Sequence, residues 1–201
     1  ALSNVLVIHP SLPPRNLKEF IAFTKARPGQ INFASAGKGT SPHLSMELFL
    51  VLAKLQLLHV PYKGSGPGVT DLIAGHVPVM MPNMLSAQPH IKAGRLRALG
   101  VTGTKRAPGA DDIPTIAEAG VPGYEAVQWY GVLAPARTPG EIITKLHAGV
   151  VRALQNPDVR KRLMNDGAEP VGSSPAEFAA YIRAETDKWA KVIKAAGIDQ
   201  N

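Results

Sequence analysis

The sequence predicts an α/β protein built on a mainly parallel sheet, and three observations carry that expectation. Short β-branched runs alternate with amphipathic helical segments along the 201-residue chain, the order that produces strand–helix–strand crossovers. The 19 glycines and 18 prolines fall largely between these segments, where they act as stop signals. Two of the strands run into glycine-rich loops that restart directly as helices.

Each element has a local reason. Val5–His9 is β-branched and weakly alternating, and reads as a strand. Asn16 followed by Glu19 has capping-box spacing, and Leu17, Phe20, Ile21 and Thr24 share one helical face until Pro28-Gly29 ends it. Strand Ile31–Ala34 enters the loop "SAGKGTS", and a helix from about Pro42 to Lys54 follows, with proline in the first turn, where its missing N–H has no partner to lose. The grammar then repeats: strand Leu57–Pro61, loop Tyr62–Gly68, short helix Val69–Ala74. Strand Val77–Met81 carries Pro78, which argues for a sheet edge. Helix Ser86–Ala93, strand Arg97–Thr102, helix Pro114–Ala119 and strand Gln128–Ala134 follow. The last third is helical: Thr138 and Glu141 have capping-box spacing, Asn156-Pro157 opens a second helix, and Ser174 with Glu177 opens the longest. Its Phe178, Tyr181, Ile182, Trp189, Val192 and Ile193 form an apolar stripe.

Composition excludes several classes of function. A 45% hydrophobic and 18% charged chain folds into a globule. The longest apolar run, Leu48–Leu58, is broken by Lys54 and Gln56 and is too short to span a bilayer. The absence of cysteine removes disulfides, thiolate chemistry and cysteine–zinc sites. The net charge of +7 fits an acidic partner, but the basic residues are scattered and aromatics are only 5%, which argues against nucleic acid. The one basic run, Arg160-Lys161-Arg162, reads as a solvated helix face. The first residues, ALSNVLVIHP, lack a charged leader and a cleavage signature, and read as a strand rather than a signal peptide.

The loop between Ser35 and Ser41 carries the functional question. It fails the dinucleotide fingerprint, because Pro42 stands where a third glycine belongs, and the nucleotide P-loop, because Lys38 lies between the glycines. What remains is backbone N–H groups, the hydroxyls of Ser35, Thr40 and Ser41, and a helix N-terminus, which suit a carboxylate, sulfate or phosphate. Residue types alone leave two readings open: an anion site, or a turn with a capped helix. The Tyr62–Gly68 loop has similar chemistry. If the two strands are parallel neighbours, both loops open at one sheet edge, where α/β sheets bind ligands. Enzymatic readings are thin. Ser41 and His43 are two apart on a helix and do not face each other, there is no G-x-S-x-G elbow, and the six histidines show no H-x-x-x-H spacing. Each histidine reads as a core or capping residue.

Several segments, taken in order, resemble a known family: "INFASAGKGTSPHLSMELF", "HVPYKGSGPGVTDLIAGHV", "HIKAGRLRALGVTGTKR", "IPTIAEAGVPGYE", "WYGVLAPARTP" and "EFAAYIRAETDKWAKVIKAAGI". They resemble the periplasmic solute receptors of tripartite tricarboxylate transporters, the Bug family, over nearly the whole chain. The resemblance implies a type II periplasmic-binding fold, with two α/β lobes that close by hinge strands on a small organic acid. No catalysis and no cofactor are implied. Residues 9–126 would form the second lobe, while residues 1–8 and 127–201 would supply hinge strands and the C-terminal part of a first lobe. That lobe's opening strand and ligand loop have no counterpart here, so the sequence reads as entering at a hinge. Pro78 stands where the family commonly has an acidic residue, and Arg137 where it has glycine.

The implied site comprises Ser35, Gly37, Gly39, Thr40 and Ser41 around one carboxylate, Tyr62 and Gly64 on the far wall, and Trp129 or Tyr130 near the hinge. Core packing is an equal reading for these last two. The implied partners are a small organic acid and membrane transporter subunits, with a periplasmic location. Unseated apolar surface on the last helix adds an expectation of self-association. Two other classes stay in view: a ligand-sensing regulatory domain of similar architecture, and a hydrolase using Ser41.

Overall fold

The computed structural model describes residues 1–165 and 167–198. Its centre is a five-stranded sheet in the order β4-β3-β5-β2-β6, made of β2 (Val5–Ile8), β3 (Asn32–Ser35), β4 (Leu58–Pro61), β5 (Val79–Met80) and β6 (Arg97–Val101). β3 pairs in parallel with β4 and with β5, while β2 runs antiparallel to β5 and β6. Four strands therefore share one direction, and β2 is inserted against them. Two of the four pairings are parallel and two antiparallel, so the sheet is mixed rather than mainly parallel, and periodicity could not disclose the reversed strand.

Both faces are covered, so the strands alternate between two apolar layers rather than between core and solvent. Leu6, Ile8, Phe33 and Val79 enter one layer with Phe20, Met46, Phe49 and Tyr124. Val5, Val7, Ala34 and Met80 enter the other with Val69, Leu72, Met84 and Ala87. The first layer is closed by α1 (Leu17–Lys25), α2 (Ser41–Ala53) and the stretch 116–126, the second by α3 (Ser65–Ile73) and α4 (Met84–Lys92).

The helix termini follow from local chemistry. Asn16 caps α1 through the Glu19 amide, and Glu19 reaches back to Asn16 Nδ2. Lys54 closes α2 in the left-handed conformation at φ 54°. Asn83 caps α4, and its side chain accepts from the Ser86 amide. α3 begins at Ser65, four residues before the expected Val69, because Gly66, Pro67 and Gly68 all fit a first helical turn, where proline loses no hydrogen bond.

Other expectations are corrected. β5 lies inside the sheet rather than at its edge. Pro78 stands just before the strand and contributes only its carbonyl, which accepts from the His9 amide at 2.9 Å. Residues 114–119 form turns rather than a helix. Thr115 and Glu118 cap each other reciprocally around one turn, and Thr115 bridges Val101. The expected strand 128–134 shrinks to β7 (Val127–Gln128), which pairs with β1 (Leu2–Ser3) in a separate two-stranded ribbon. Beyond it Tyr130, Val132 and Leu133 are 73%, 75% and 76% exposed and find no ladder partner among the described residues.

The remaining helices are α5 (Gly140–Gln155), α6 (Pro157–Asn165) and α7 (Pro175–Ala195). Thr138 does not cap α5, whose N-cap is Pro139 with no side-chain bond. The helix starts one residue late for the capping-box spacing. Ser174 and Glu177 do form a capping box on α7. That helix packs on α2, with Val192 buried and Trp189 half-buried against the core. The domain boundary expected at His9 meets an integrated strand, since β2 is buried in the middle of the sheet. No helix among the described residues is long and apolar enough to cross a membrane.

Candidate functional site

The two glycine loops leave the sheet side by side. β3 and β4 run in parallel register, with Ser35 opposite Pro61, so residues 36–40 and 62–64 emerge at the same edge. They are tied together by Tyr62 N–H to Ser35 O and Gly64 N–H to Ala36 O, each 3.0 Å. One loop feeds α2 and the other α3. Neither helix has a side-chain N-cap bond or an acidic residue in its first turn. Two helix N-termini thus lie beside each other with their positive ends uncompensated.

The donors divide into two groups. Gly37 N–H donates to Ser35 Oγ at 3.1 Å, Gly39 N–H to His43 Nδ1 at 3.1 Å, and Thr40 Oγ1 to Gly37 O at 2.7 Å. Ser35 Oγ lies 2.6 Å from His59 Nε2. These groups build the loop. The amides of Ala36, Lys38, Ser41, His43, Ser65 and Gly66 have no acceptor among the described residues. Ser41 Oγ accepts from Asn4 Nδ2 at 2.9 Å, which leaves its own proton free to donate. Lys38 and Lys63 are exposed beside these amides. Free amides and one free hydroxyl at paired helix N-termini, with Lys38 and Lys63 in the same two loops, can hold an anion without a guanidinium clamp.

Ser35, Gly37, Gly39, Thr40, Ser41, Tyr62 and Gly64 are therefore brought together. Within this group Ser41 presents a free donor, while Ser35, Gly37, Gly39, Thr40 and Gly64 shape the loop in this structure. The Tyr62 hydroxyl donates to Asp71 Oδ2 at 2.7 Å. Burial, then the Asp71 hydrogen bond, push the phenol up to about 12, and the same bond holds the Asp71 carboxyl below its usual range. Trp129 is not part of the cluster. Its ring sits edge-on to Phe178 at 5.5 Å and Tyr181 at 5.7 Å, packed on α7.

Three further side chains belong to the site, and of these the sequence points only to His43, as a partner for Ser41 that helical spacing rules out. Asn4, fully buried between β1 and β2, donates from Nδ2 to Ser41 Oγ and to Ser45 Oγ at 3.0 Å and ties α2 to the start of the sheet. His43 is buried as a core histidine is expected to be, yet its ring also holds the Gly39 amide. His59 stacks on it at 3.9 Å. Burial first, then the neighbouring His43, lower the His59 pKa to about 4, with Lys38 acting the same way and Glu47 against it. Only the parallel pairing of β3 with β4 brings these histidines together; no spacing in the sequence signals it.

The Ser35–His59 contact has the reach of a nucleophile–base pair, but it cannot act as one. Ser35 is fully buried, its oxygen accepts the Gly37 amide, and His59 is a weak base with no carboxylate on its second nitrogen among the described residues. Ser41, the hydroxyl considered for hydrolysis, faces Asn4 rather than a base.

The comparisons agree with this architecture. The model of the tripartite tricarboxylate transporter family receptor matches residues 1–198. A UPF0065 protein from the tcbD–tcbE intergenic region of Pseudomonas sp. strain P51 is 42% identical over 193 residues, 96% of this chain and 57% of that protein. Protein BugT of Bordetella pertussis is 38% identical, over 96% of this chain and 59% of its own length. Rpa4515 of R. palustris, solved with adipate, superposes with a TM-score of 0.87 at 39% identity, covering 98% of this chain and 66% of that one. MatC of Rhodopseudomonas palustris, solved with bound malate, gives 0.81 at 33% identity over 96% of this chain and 66% of its own. The chain spans somewhat more than half the length of the curated relatives and about two-thirds of these structures. On the family match over residues 1–198 and these identities, the chain belongs to the tripartite tricarboxylate transporter receptor family.

Proposed function

We propose that this chain carries the ligand loops of a periplasmic receptor that captures a small carboxylate for a tripartite tricarboxylate-type transporter. The observation that carries the reading is the pair of uncapped helix N-termini at one sheet edge, with the Ser41 hydroxyl and free amides beside them. That chemistry suits one end of an aliphatic dicarboxylate. Two structural neighbours were solved with adipate and malate, which are acids of this class. The action proposed is capture and delivery, without turnover.

In this reading the five-stranded sheet is the second lobe, with its boundary drawn near Asn4 rather than His9. The β1–β7 ribbon lies at the hinge, and α5–α7 belong to the first lobe. Bound acid would favour the closed arrangement of the lobes. Ala36, Lys38, Ser41 and His43 amides with Ser41 Oγ would receive one carboxylate, and Ser65 and Gly66 amides would line the facing wall. Trp129 would act near the hinge through packing. Self-association is part of the proposal for this chain, because Ile142, Leu146 and Val150 line an exposed apolar face of α5, and Val132, Leu133 and Val171 are exposed as well.

A thermal-shift series with adipate, malate, citrate, sulfate and chloride at fixed ionic strength tests the function. A ligand that binds only the folded chain stabilises it by roughly 2.7 kcal/mol at a hundredfold excess over its dissociation constant. The expected result is a saturable shift from a carboxylate that sulfate and chloride do not reproduce. Shifts that are absent, or equal for sulfate, would overturn the reading.

A further inference from the structure

The site contains an imidazole pair with no direct place in holding an anion, and its contacts give it a role. Gly37 and Gly39 stand at φ +131° and +76°, and each has its amide held by a side chain. Gly39 N–H donates to His43 Nδ1 at 3.1 Å. Gly37 N–H donates to Ser35 Oγ, and that oxygen is 2.6 Å from His59 Nε2. The His43 and His59 rings stack at 3.9 Å and 18°, and Phe33 packs beside both, 4.9 Å from His59 and 6.2 Å from His43. A single aromatic cluster thus reaches both glycines of the loop.

We infer that His43 and His59 are positioning residues of this loop: the neutral pair holds Gly37 and Gly39 in place, leaving the Ala36, Lys38 and Ser41 amides as the donors offered to ligand. For the ligand's being a carboxylate the inference rests on the proposed function. For the hold on the loop it does not.

The protonation state follows from the contacts. A nitrogen that accepts the Gly39 N–H carries no proton, so the single proton of His43 sits on Nε2, facing Glu47 Oε1 at 3.5 Å. A second proton would turn Nδ1 into a donor aimed at another donor, and the hold on Gly39 would be lost. It would also set a cation against the face of His59. The groups around the pair are Glu47 on α2, Lys38 in the loop, Ser35 and Phe33 on β3, and the two rings themselves. Only Glu47 favours a charged ring. The held loop is therefore the state in which His43 carries its single proton on Nε2, and a second proton on that ring is incompatible with the Gly39 contact.

Nitrogen-15 spectra of the wild-type chain test the hold directly. The expected result is His43 as the Nε2–H tautomer, with a Gly39 amide resonance that moves together with the His43 ring signals when the ring is titrated. A Gly39 amide indifferent to that titration would overturn the inference. Two variants then separate an acceptor from a filler. His43→Asn keeps an oxygen near the Nδ1 position, and His43→Leu keeps apolar bulk without an acceptor. Adipate affinity should fall roughly five- to tenfold in His43→Leu, the equivalent of one hydrogen bond, and stay within about twofold in His43→Asn. Equal loss in both variants, with the fold checked by the same spectra, would mean the ring only packs. If wild type binds no carboxylate, the proposed function fails, and the tautomer and Gly39 titration still decide the positioning role.

Discussion

Substituting alanine for each of the two loop glycines tests the conformation on which the site depends. Gly37 at φ +131° lies where side-chain-bearing residues essentially do not go, and a Cβ there would stand 3.3 Å from Tyr62 O. That carbonyl cannot retreat easily, because the chain is tied on both sides of it, by Tyr62 N–H to Ser35 O and Gly64 N–H to Ala36 O, each 3.0 Å. Backbone strain of about 2 kcal/mol with the tight contact brings the expected cost of Gly37→Ala to about 3 kcal/mol. Gly39 at φ +76° has nothing within 4 Å of its Cβ position, so Gly39→Ala costs only the left-handed penalty, about 1 kcal/mol. The entropy that alanine removes from the unfolded chain is the same for both and cancels. With a urea slope of about 2 kcal/mol/M for a domain of this size, the unfolding midpoints should differ by about 1 M, Gly37→Ala being the lower. Coincident midpoints would refute the reasoning, since they would mean that Gly37 does not hold this conformation.

The buried Tyr124 hydroxyl donates to Ser45 O at 2.9 Å, an oxygen that keeps its helical partner. Tyr124→Phe should therefore cost only about 1 kcal/mol in urea unfolding, and a loss above about 3 kcal/mol would show a larger role for the hydroxyl. His59 binds its proton less well when folded, with a pKa of about 4 against 6.5. Its contribution to stability is complete above pH 6.5, declines as pH falls towards about 4 and is constant below that. The full shift corresponds to about 3 kcal/mol, which solvent screening of the half-buried ring reduces to about 1–2 kcal/mol. An unfolding series over that pH range should be flatter in His59→Gln, and an unchanged slope would contradict the assignment. Light scattering should find the chain self-associated and Leu146→Glu less so, whereas a compact wild-type monomer would remove self-association from the proposal.

The elements that were legible in the sequence are those fixed by neighbours in the chain. Asn16 with Glu19 and Ser174 with Glu177 bond within three residues, so the spacing alone identifies them. Thr138 and Glu141 have the same spacing and fail, because α5 starts after Pro139. The reversed direction of β2 was not legible, since alternation looks the same in either direction and only the pairing with β5 and β6 decides it. Pro78 misled for the same reason: a proline beside a strand reads as an edge, yet here its carbonyl caps the interior of the sheet. The apolar run after Gln128 reads as a strand by composition, but a strand also needs a partner, and among the described residues Val127 and Gln128 alone of this stretch have one.

The site divides along the same line. Glycines, hydroxyls and a proline-opened helix after a strand mark an anion loop by type, and the parallel pairing of β3 and β4 delivers both loops to one edge. Which donors remain available is a different kind of question, because it depends on acceptors distant in sequence. Ser41 offers a free proton only because Asn4, 37 residues away, donates into its oxygen rather than accepting from it. The Gly39 amide is unavailable because His43 turns its ring back into the loop. Gly37 is unavailable through Ser35, which His59 reaches from the adjacent strand. A loop whose glycine amides all faced a ligand would have nothing to hold those glycines at positive φ when empty, and the acid would have to order them on binding. Engaging Gly37 and Gly39 internally shifts that ordering cost from the binding step to folding. The residues that make the loop are thus largely distinct from the residues that would hold the ligand, and the structure separates them by hydrogen-bond partner where the sequence shows one continuous motif.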